Sequence, residues 1–167
     1  PWAGWTKGSG IAADVSFMLD IADGNSTLSD FDLQGDTFGI EGSVVLSSGS
    51  LSQARFSSVK LNRNDDVAVT VRKSGKGYSV DIGGNSLDAR SLVRQFTSDT
   101  NTATKATGGG SVSVSADVKT LTGFHGERLS DVKLDYSGSD ERVNGLKVAA
   151  TANSGAAIEI RNTAEAG

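Results

Sequence analysis

The chain has 167 residues, a formal net charge of −4 and no cysteine. This length suits one domain with its own core. The lack of cysteine excludes disulfides, thiolate metal sites and cysteine nucleophiles, and the mixed charge lacks the basic stripe that nucleic-acid binding requires. Apolar residues make up only 37%. Gly, Ser, Thr, Asn and Asp fill the difference, and these residues favour turns and solvated strand faces.

Apolar and polar residues alternate along most of the chain, which predicts β-strands with one apolar face. The alternating segments, in chain order, are Val15–Ile21, Phe31–Leu33, Phe38–Leu46, Phe56–Leu61, Val67–Val71, Tyr78–Ile82, Val112–Val118, Val132–Tyr136, Leu146–Ala152 and Ile158–Ile160. The step from Phe56 to Val59 breaks the alternation and predicts a β-bulge. Turn sequences such as Asp23-Gly24-Asn25 separate the segments, so we expect antiparallel hairpins in a meander.

One segment has helical spacing instead. Residues 87–96 predict a short α-helix of about two turns, with Asp88 as N-cap and Leu87 placed to pack on Leu92. Thr97–Gly110 is composed mostly of small polar residues and Gly, which is typical of a flexible linker or loop. We therefore predict a first meander that ends in the helix (1–96), a polar linker (97–110), and a second meander (111–167) that packs on or extends the same sheet.

Two six-residue segments echo each other across the linker. Leu28-Ser29-Asp30-Phe31-Asp32-Leu33 is similar to Leu129-Ser130-Asp131-Val132-Lys133-Leu134, and a Gly-containing turn and another strand follow each of them. Either the chain contains an internal repeat, or meanders of this composition simply share such phrases.

No segment has the pattern of an active site or a metal site. His125 is the only histidine and falls in a predicted turn, and no Gly-x-Ser-x-Gly motif occurs. Asp20, Asp23 and Asn25 miss the alternating spacing of a calcium loop, so a hairpin turn explains them better, as it does Asp65-Asp66. We expect no catalytic residues, no metal and no cofactor. A glycan hydrolase that uses two of the many carboxylates is the weakest alternative.

A sheet with one apolar face must cover that face. It can curl into a groove that holds acyl chains, or close as a sandwich whose inner faces pack together, and the alternation fits both. For the groove, the predicted lining residues are those apolar side chains that recur in the alternating segments. They are Phe17, Leu19, Phe38, Ile40, Val44, Val69, Val80, Val114, Leu134 and Val148.

The order of several strand and turn phrases resembles the AsmA-like superfamily of large envelope proteins, in particular its YhdP and TamB type. The phrases that carry the resemblance are Phe31–Asp36 with Ile40–Ser43, Ala54–Leu61, Gly77–Gly84, Ser86–Val93 before the linker, and Leu129–Tyr136. Together they span most of residues 28–160, although each phrase alone is only a strand or a turn.

This resemblance implies a periplasmic segment of a larger protein that is anchored in the inner membrane of a Gram-negative bacterium. The implied fold is an elongated, curled antiparallel sheet with a hydrophobic groove, and the implied role is phospholipid transport between the inner and outer membranes. Its partners would be phospholipid acyl chains and the rest of the same envelope protein. The superfamily supplies no catalytic residues to match. The alternative is a structural or adhesion β-module of the bacterial envelope or surface.

Overall fold

The computed structural model describes residues 12–90, 110–123, 126–139 and 142–163. The described residues form ten strands. In chain order these are β1 (Ala13–Ala22), β2 (Asn25–Gly35), β3 (Gly39–Ser47), β4 (Ser50–Lys60), β5 (Asp66–Ser74), β6 (Gly77–Asp88), β7 (Ser111–Thr122), β8 (Arg128–Ser139), β9 (Arg142–Ala152) and β10 (Ala157–Thr163). Each alternating segment of the sequence coincides with a strand of its own, although Phe38 and Leu61 lie one residue outside β3 and β4. The mostly β fold class is therefore confirmed.

The ten strands form a single sheet in which the spatial order is the chain order, β1 to β10. Eight neighbouring pairs are antiparallel, but β6 and β7 run parallel. The prediction of an antiparallel meander therefore needs one correction, between Asp88 and Ser111. Parallel neighbours require a crossover that returns the chain along the strands, and this sequence places its longest connection at that point. Through β6 and β7 the two meanders share one sheet.

Tight turns set the register of the hairpins. Asp23-Gly24 and Ser48-Gly49 both have positive φ at two successive residues, between 49° and 76°. This is the backbone of a type I′ turn, whose twist matches that of the flanking strands. Gly is well suited to the second position because it has no Cβ to clash there.

β-Bulges interrupt the ladders at several points. The predicted break between Phe56 and Val59 is present in the pairing of β4 with β5. The two echoing segments also bulge, since the register shifts between Leu28 and Phe31 in β2 and between Ser130 and Lys133 in β8.

The aspartate of each Leu-Ser-Asp phrase has the same unusual backbone. The φ angle is 49° at Asp30 and 52° at Asp131. The two similar sequence segments therefore also share a backbone conformation, a bulge with one residue in the left-handed region.

The predicted helix at 87–96 is wrong at its start. Strand β6 continues through Asp88, and only Arg90 has helical backbone among the described residues of this segment. Asp88 does accept a hydrogen bond from the Arg90 N–H at 3.1 Å, as an N-cap does. The rest of the predicted helix and the predicted linker up to residue 109 lie outside the described residues, as does His125.

Within the described residues, no helix is long and apolar enough to cross a membrane.

Candidate functional site

The pairing of the strands assembles apolar side chains into rows that run across the sheet. Directly paired residues point to the same face, so each row can be traced from partner to partner. The Leu19 row crosses all ten strands and consists of Leu19, Leu28, Val44, Ala54, Val71, Val80, Val114, Tyr136, Leu146 and Asn162.

Two further rows lie beside it on the same face. The Phe31 row consists of Phe31, Gly42, Phe56, Val69, Ile82, Ala116, Leu134, Val148 and Ile160. The Val15 row consists of Val15, Leu33, Ile40, Val59, Val67, Gly84, Val118 and Val132. None of the residues in the three rows carries a charge. We call the surface that they form the apolar face.

The opposite side of the sheet, the polar face, carries the intervening side chains. Exposed ion pairs cross it, such as Lys133 with Asp117 at 3.3 Å and Arg72 with Asp81 at 2.7 Å. A shallow depression of about 300 Å³ lies where small side chains follow one another, among them Ser79, Ser113 and Ser137. Exposed surface ion pairs contribute little stability, so the fold depends mainly on the apolar face.

The apolar face is covered to very different degrees along its length. Its centre contains a cluster of buried side chains, Ala54, Phe56 and Val71, and the described apolar residues that pack against the cluster all come from β2 to β6. Val67, Val118 and Val132 of the Val15 row are also buried. By contrast, the β1 side chains of this face are among the most exposed apolar groups, with Phe17 at 49% and Ile21 at 70%.

Between these extremes lies a half-buried region on β6 to β9. Its residues belong to the Leu19 and Phe31 rows and are neither enclosed nor fully open. They are Val80, Ile82, Val114, Ala116, Leu134, Tyr136, Leu146 and Val148. This region is the candidate site, because it is apolar, free of charge and partly accessible.

The structure places the predicted lining residues as follows. Val80, Val114, Leu134 and Val148 lie in the half-buried region, while Val44 and Val69 lie beside the central cluster. Ile40 is in the Val15 row, and Phe17 and Leu19 are on the open strand β1.

Phe38 is the exception among the predicted lining residues. It precedes β3, it is buried, and its carbonyl accepts a hydrogen bond from the Gly35 N–H at 2.9 Å. Its ring occupies the space where a side chain at position 35 would stand. Phe38 is therefore enclosed beside Gly35 and is less accessible than the other predicted lining residues.

Two glycines in the rows let neighbouring strands approach closely. A Cβ at Gly42 would come within 2.7 Å of the Phe56 Cα, and one at Gly84 within 2.6 Å of the Val67 Cα. Each position adjoins a register shift, at Glu41/Gly42 and at Asp66/Val67. The alternation in the sequence did not predict that these glycines belong to the apolar rows, because a glycine interrupts an apolar alternation.

The buried carboxylate of Asp65 is held by hydrogen bonds from backbone N–H groups. Asp65 is 3% exposed. Its Oδ2 accepts hydrogen bonds from the N–H groups of Leu61 and Asn62, at 3.1 and 3.0 Å, and its Oδ1 accepts one from the N–H of Asp88 at 2.7 Å. Desolvation by burial raises the pKa of Asp65, although these three hydrogen bonds act in the opposite direction. The carboxylate ties the β4–β5 turn to the end of β6.

Asp88, the other buried carboxylate, pairs with Arg90, and this hydrogen bond raises the pKa of the Arg90 guanidinium. Simple turn signals in the sequence do not reveal either role, since Asp65-Asp66 has the composition of an ordinary hairpin turn. Across the described ranges, no group of three or more His, Asp or Glu side chains is arranged to hold a metal ion.

No protein-family model, curated protein or solved structure matches this chain. The resemblance to the AsmA-like superfamily thus depends on the sequence phrases alone and stays a prediction.

Proposed function

We propose that this chain is a non-catalytic segment of an AsmA-like envelope protein that binds phospholipid acyl chains on its apolar face and supports their transport between membranes. The observation that carries the proposal is the set of three rows, which cross the sheet without a single charged side chain. A charge in a row would have to be desolvated by a passing acyl chain, at a cost of several kcal/mol.

The dimensions of the half-buried region suit one acyl chain. Neighbouring strands lie about 4.8 Å apart, so the three steps from β6 to β9 span roughly 14 Å. One leaflet of a bilayer has a hydrocarbon depth of about 15 Å, half of a 30 Å core. The region can therefore hold about one extended acyl chain across its strands, beside the buried central cluster.

Burial of methylene groups would hold the lipid. Each buried CH₂ contributes about 0.8 kcal/mol, so ten of them contribute roughly 8 kcal/mol before the cost of ordering the chain. The half-buried region around Val114 and Leu134 offers apolar contact without requiring the central cluster to open. The headgroup would remain in water beyond the end of the strands.

Photolabelling tests this proposal on the unmodified protein. The chain is mixed with vesicles of phosphatidylethanolamine and phosphatidylglycerol that contain a phospholipid with a diazirine on its acyl chain, irradiated, and digested for mass spectrometry. We expect adducts on Val80, Val114, Leu134 and Val148, and few on polar-face residues such as Ser113. Labelling that is absent, or equal on both faces, would refute acyl-chain binding at this site.

A matched pair of variants then measures the contribution of the face. Val114→Asp places a charge in the Leu19 row, and Ser113→Asp places the same charge one residue earlier, on the polar face opposite neutral Ser79 and Ser137. We expect Val114→Asp to lose at least about tenfold in affinity for a fluorescent phospholipid, or 1.4 kcal/mol, and Ser113→Asp to bind as the wild type does. Circular dichroism establishes that both variants are folded.

A further inference from the structure

The open edge of the sheet at β1 has the features of a protein-binding surface. Within the described residues β1 pairs only with β2, so its other side presents unpaired backbone groups. Natural proteins usually protect such an edge with proline, lysine, a covering loop or a very short strand. β1 is ten residues long, contains none of these residues, and exposes Val15, Phe17, Met18, Leu19 and Ile21 by 49% to 70%.

We propose that β1 pairs antiparallel with β1 of a second copy of this chain, which joins two sheets into one with a continuous apolar face. The argument comes from the register. A twofold axis between Met18 and its symmetry mate places Val15 opposite Ile21 and Phe17 opposite Leu19, so every apolar-face residue from 15 to 21 meets another. On the polar face Asp14 meets Ala22 and Asp20 meets Ser16, and no like charges face each other.

Competing self-pairings are less favourable. Moving the axis to Phe17 keeps the apolar residues together but sets Asp14 opposite Asp20, and like charges directly opposite are destabilising. Moving it to Leu19 leaves Ala13 to Val15 without partners. If the axis lies between two residues, each apolar residue of one copy pairs with a polar residue of the other. The apolar face of one sheet would then continue as the polar face of the other.

Backbone geometry is compatible with Met18 as the axis and excludes an axis between two residues. Ala22 and Asn25 flank the two-residue turn at Asp23-Gly24 and so form a hydrogen-bonded pair. Alternation along the strand then directs the backbone groups of Val15, Phe17, Leu19 and Ile21 to the open edge. In the proposed dimer these residues form the hydrogen-bonded pairs, and Met18 meets its mate in a non-hydrogen-bonded pair with Cα atoms about 4.5 Å apart.

The other edge is a weaker candidate for self-pairing. β10 has seven residues, its outer surface carries Glu159 and Arg161, and its exposed large apolar side chain is Ile160. The β1 edge therefore has both the longer ladder and the larger apolar surface.

Because the chain has no cysteine, a single introduced cysteine reports the register directly. We expect Met18→Cys, in delipidated protein, to oxidise to a disulfide-linked dimer at least about tenfold faster than Asp20→Cys, whose mate would lie roughly 13 Å away and out of disulfide reach. Sedimentation of the wild type at about 100 μM should show twice the 17.2 kDa monomer mass.

A charge at the axis provides the complementary test. Met18→Lys sets two lysines opposite each other and should weaken the dimer at least about tenfold, while phospholipid labelling is unchanged because Met18 is on the polar face. A monomeric wild type, equal cross-linking of Met18→Cys and Asp20→Cys, or cross-linking of Met18→Cys to a second copy that carries Glu159→Cys would each overturn the proposal. The dimer does not depend on lipid binding, so either hypothesis can fail alone.

Discussion

The centre of the apolar face and its β1 edge have the same sequence pattern but opposite environments. Ala54 and Val71 at the centre are 1% and 7% exposed, whereas Leu19, in the same row, is 54% exposed. Both regions alternate apolar and polar residues with period 2. The difference comes from the neighbours, because in the described part of the chain β4 and β5 have a strand on each side and β1 has one. Alternation thus identifies a face, and position in the sheet decides whether that face is buried as a core or stays exposed.

The largest predicted difference in stability is between an aspartate at the centre of the apolar face and an aspartate on β1. Val71→Asp buries a carboxylate within the central cluster and should lower the free energy of unfolding by at least about 4 kcal/mol. Leu19→Asp, in the same row, remains solvated and should cost less than about 1 kcal/mol. Urea denaturation measures both values. Equal losses at the two positions would mean that β1 is as enclosed as the centre.

Two adjacent glycines in β6 allow the stability effect of one added methyl group to be compared at a crowded and at an open position. A Cβ at Gly84 would overlap the Asp66 carbonyl oxygen, so Gly84→Ala should destabilise by about 1–3 kcal/mol. At Gly83 the nearest atom is the Asp117 carbonyl oxygen at 3.9 Å, so Gly83→Ala should be neutral or stabilise by up to about 0.5 kcal/mol. Thermal denaturation measures the stability of both variants. A Gly84→Ala variant as stable as the wild type would contradict the close approach of β5 and β6.

The Asp65 carboxylate stabilises one end of the central region. Asp65→Ala leaves three N–H groups without their acceptor and should cost about 1–3 kcal/mol. The side chain of the neighbouring exposed Asp66 accepts a hydrogen bond from the Asn85 side chain at 2.6 Å, and Asp66→Ala should cost less than about 1 kcal/mol. Chemical denaturation at neutral pH compares the two.

The same variant isolates the pH dependence of Asp65. Because burial raises its pKa above 3.8 in the fold, the proton is bound more tightly in the folded state. The stabilisation that this tighter proton binding by Asp65 contributes is fully present below pH 3.8 and is lost as the pH rises through the raised pKa. The difference between wild type and Asp65→Ala should therefore be largest at acid pH. A difference that grows as the pH rises would show that the hydrogen bonds outweigh desolvation.

Local alternation in the sequence predicted the strands well, because a half-buried strand requires it. Val112, Val114, Ala116 and Val118, for example, lie on one face of β7. The pattern carries no information on strand direction, so the parallel pairing of β6 with β7 was missed. The C-terminal part of β6 was missed as well, because Gly83-Gly84-Asn85-Ser86 has no apolar alternation, although Gly84 fits a row that admits no Cβ.

The candidate site was less predictable than the strands. Alternation places Val80 and Val114 on an apolar surface but does not tell which residues are paired. The rows appear only when the register of every hairpin and bulge is known. Long-range partners such as the Asp65 carboxylate and the Asp88 N–H, 23 residues apart, leave no mark in local composition.

The smallest predicted effect tests whether the Leu-Ser-Asp bulges are local features or depend on their position in the sheet. Asp30 is in β2, beside the open edge, and Asp131 is in β8, within the sheet, yet both have φ near 50°. A non-glycine residue in this region costs about 1 kcal/mol, and an aspartate less, so Asp30→Gly and Asp131→Gly should each stabilise by a few tenths to about 0.5 kcal/mol. Equal gains in differential scanning calorimetry would mean that the backbone term is local, as an internal repeat requires. A gain at Asp131 with a loss at Asp30 would mean that the Asp30 side chain has a separate role at the edge, and the two bulges would then no longer be equivalent.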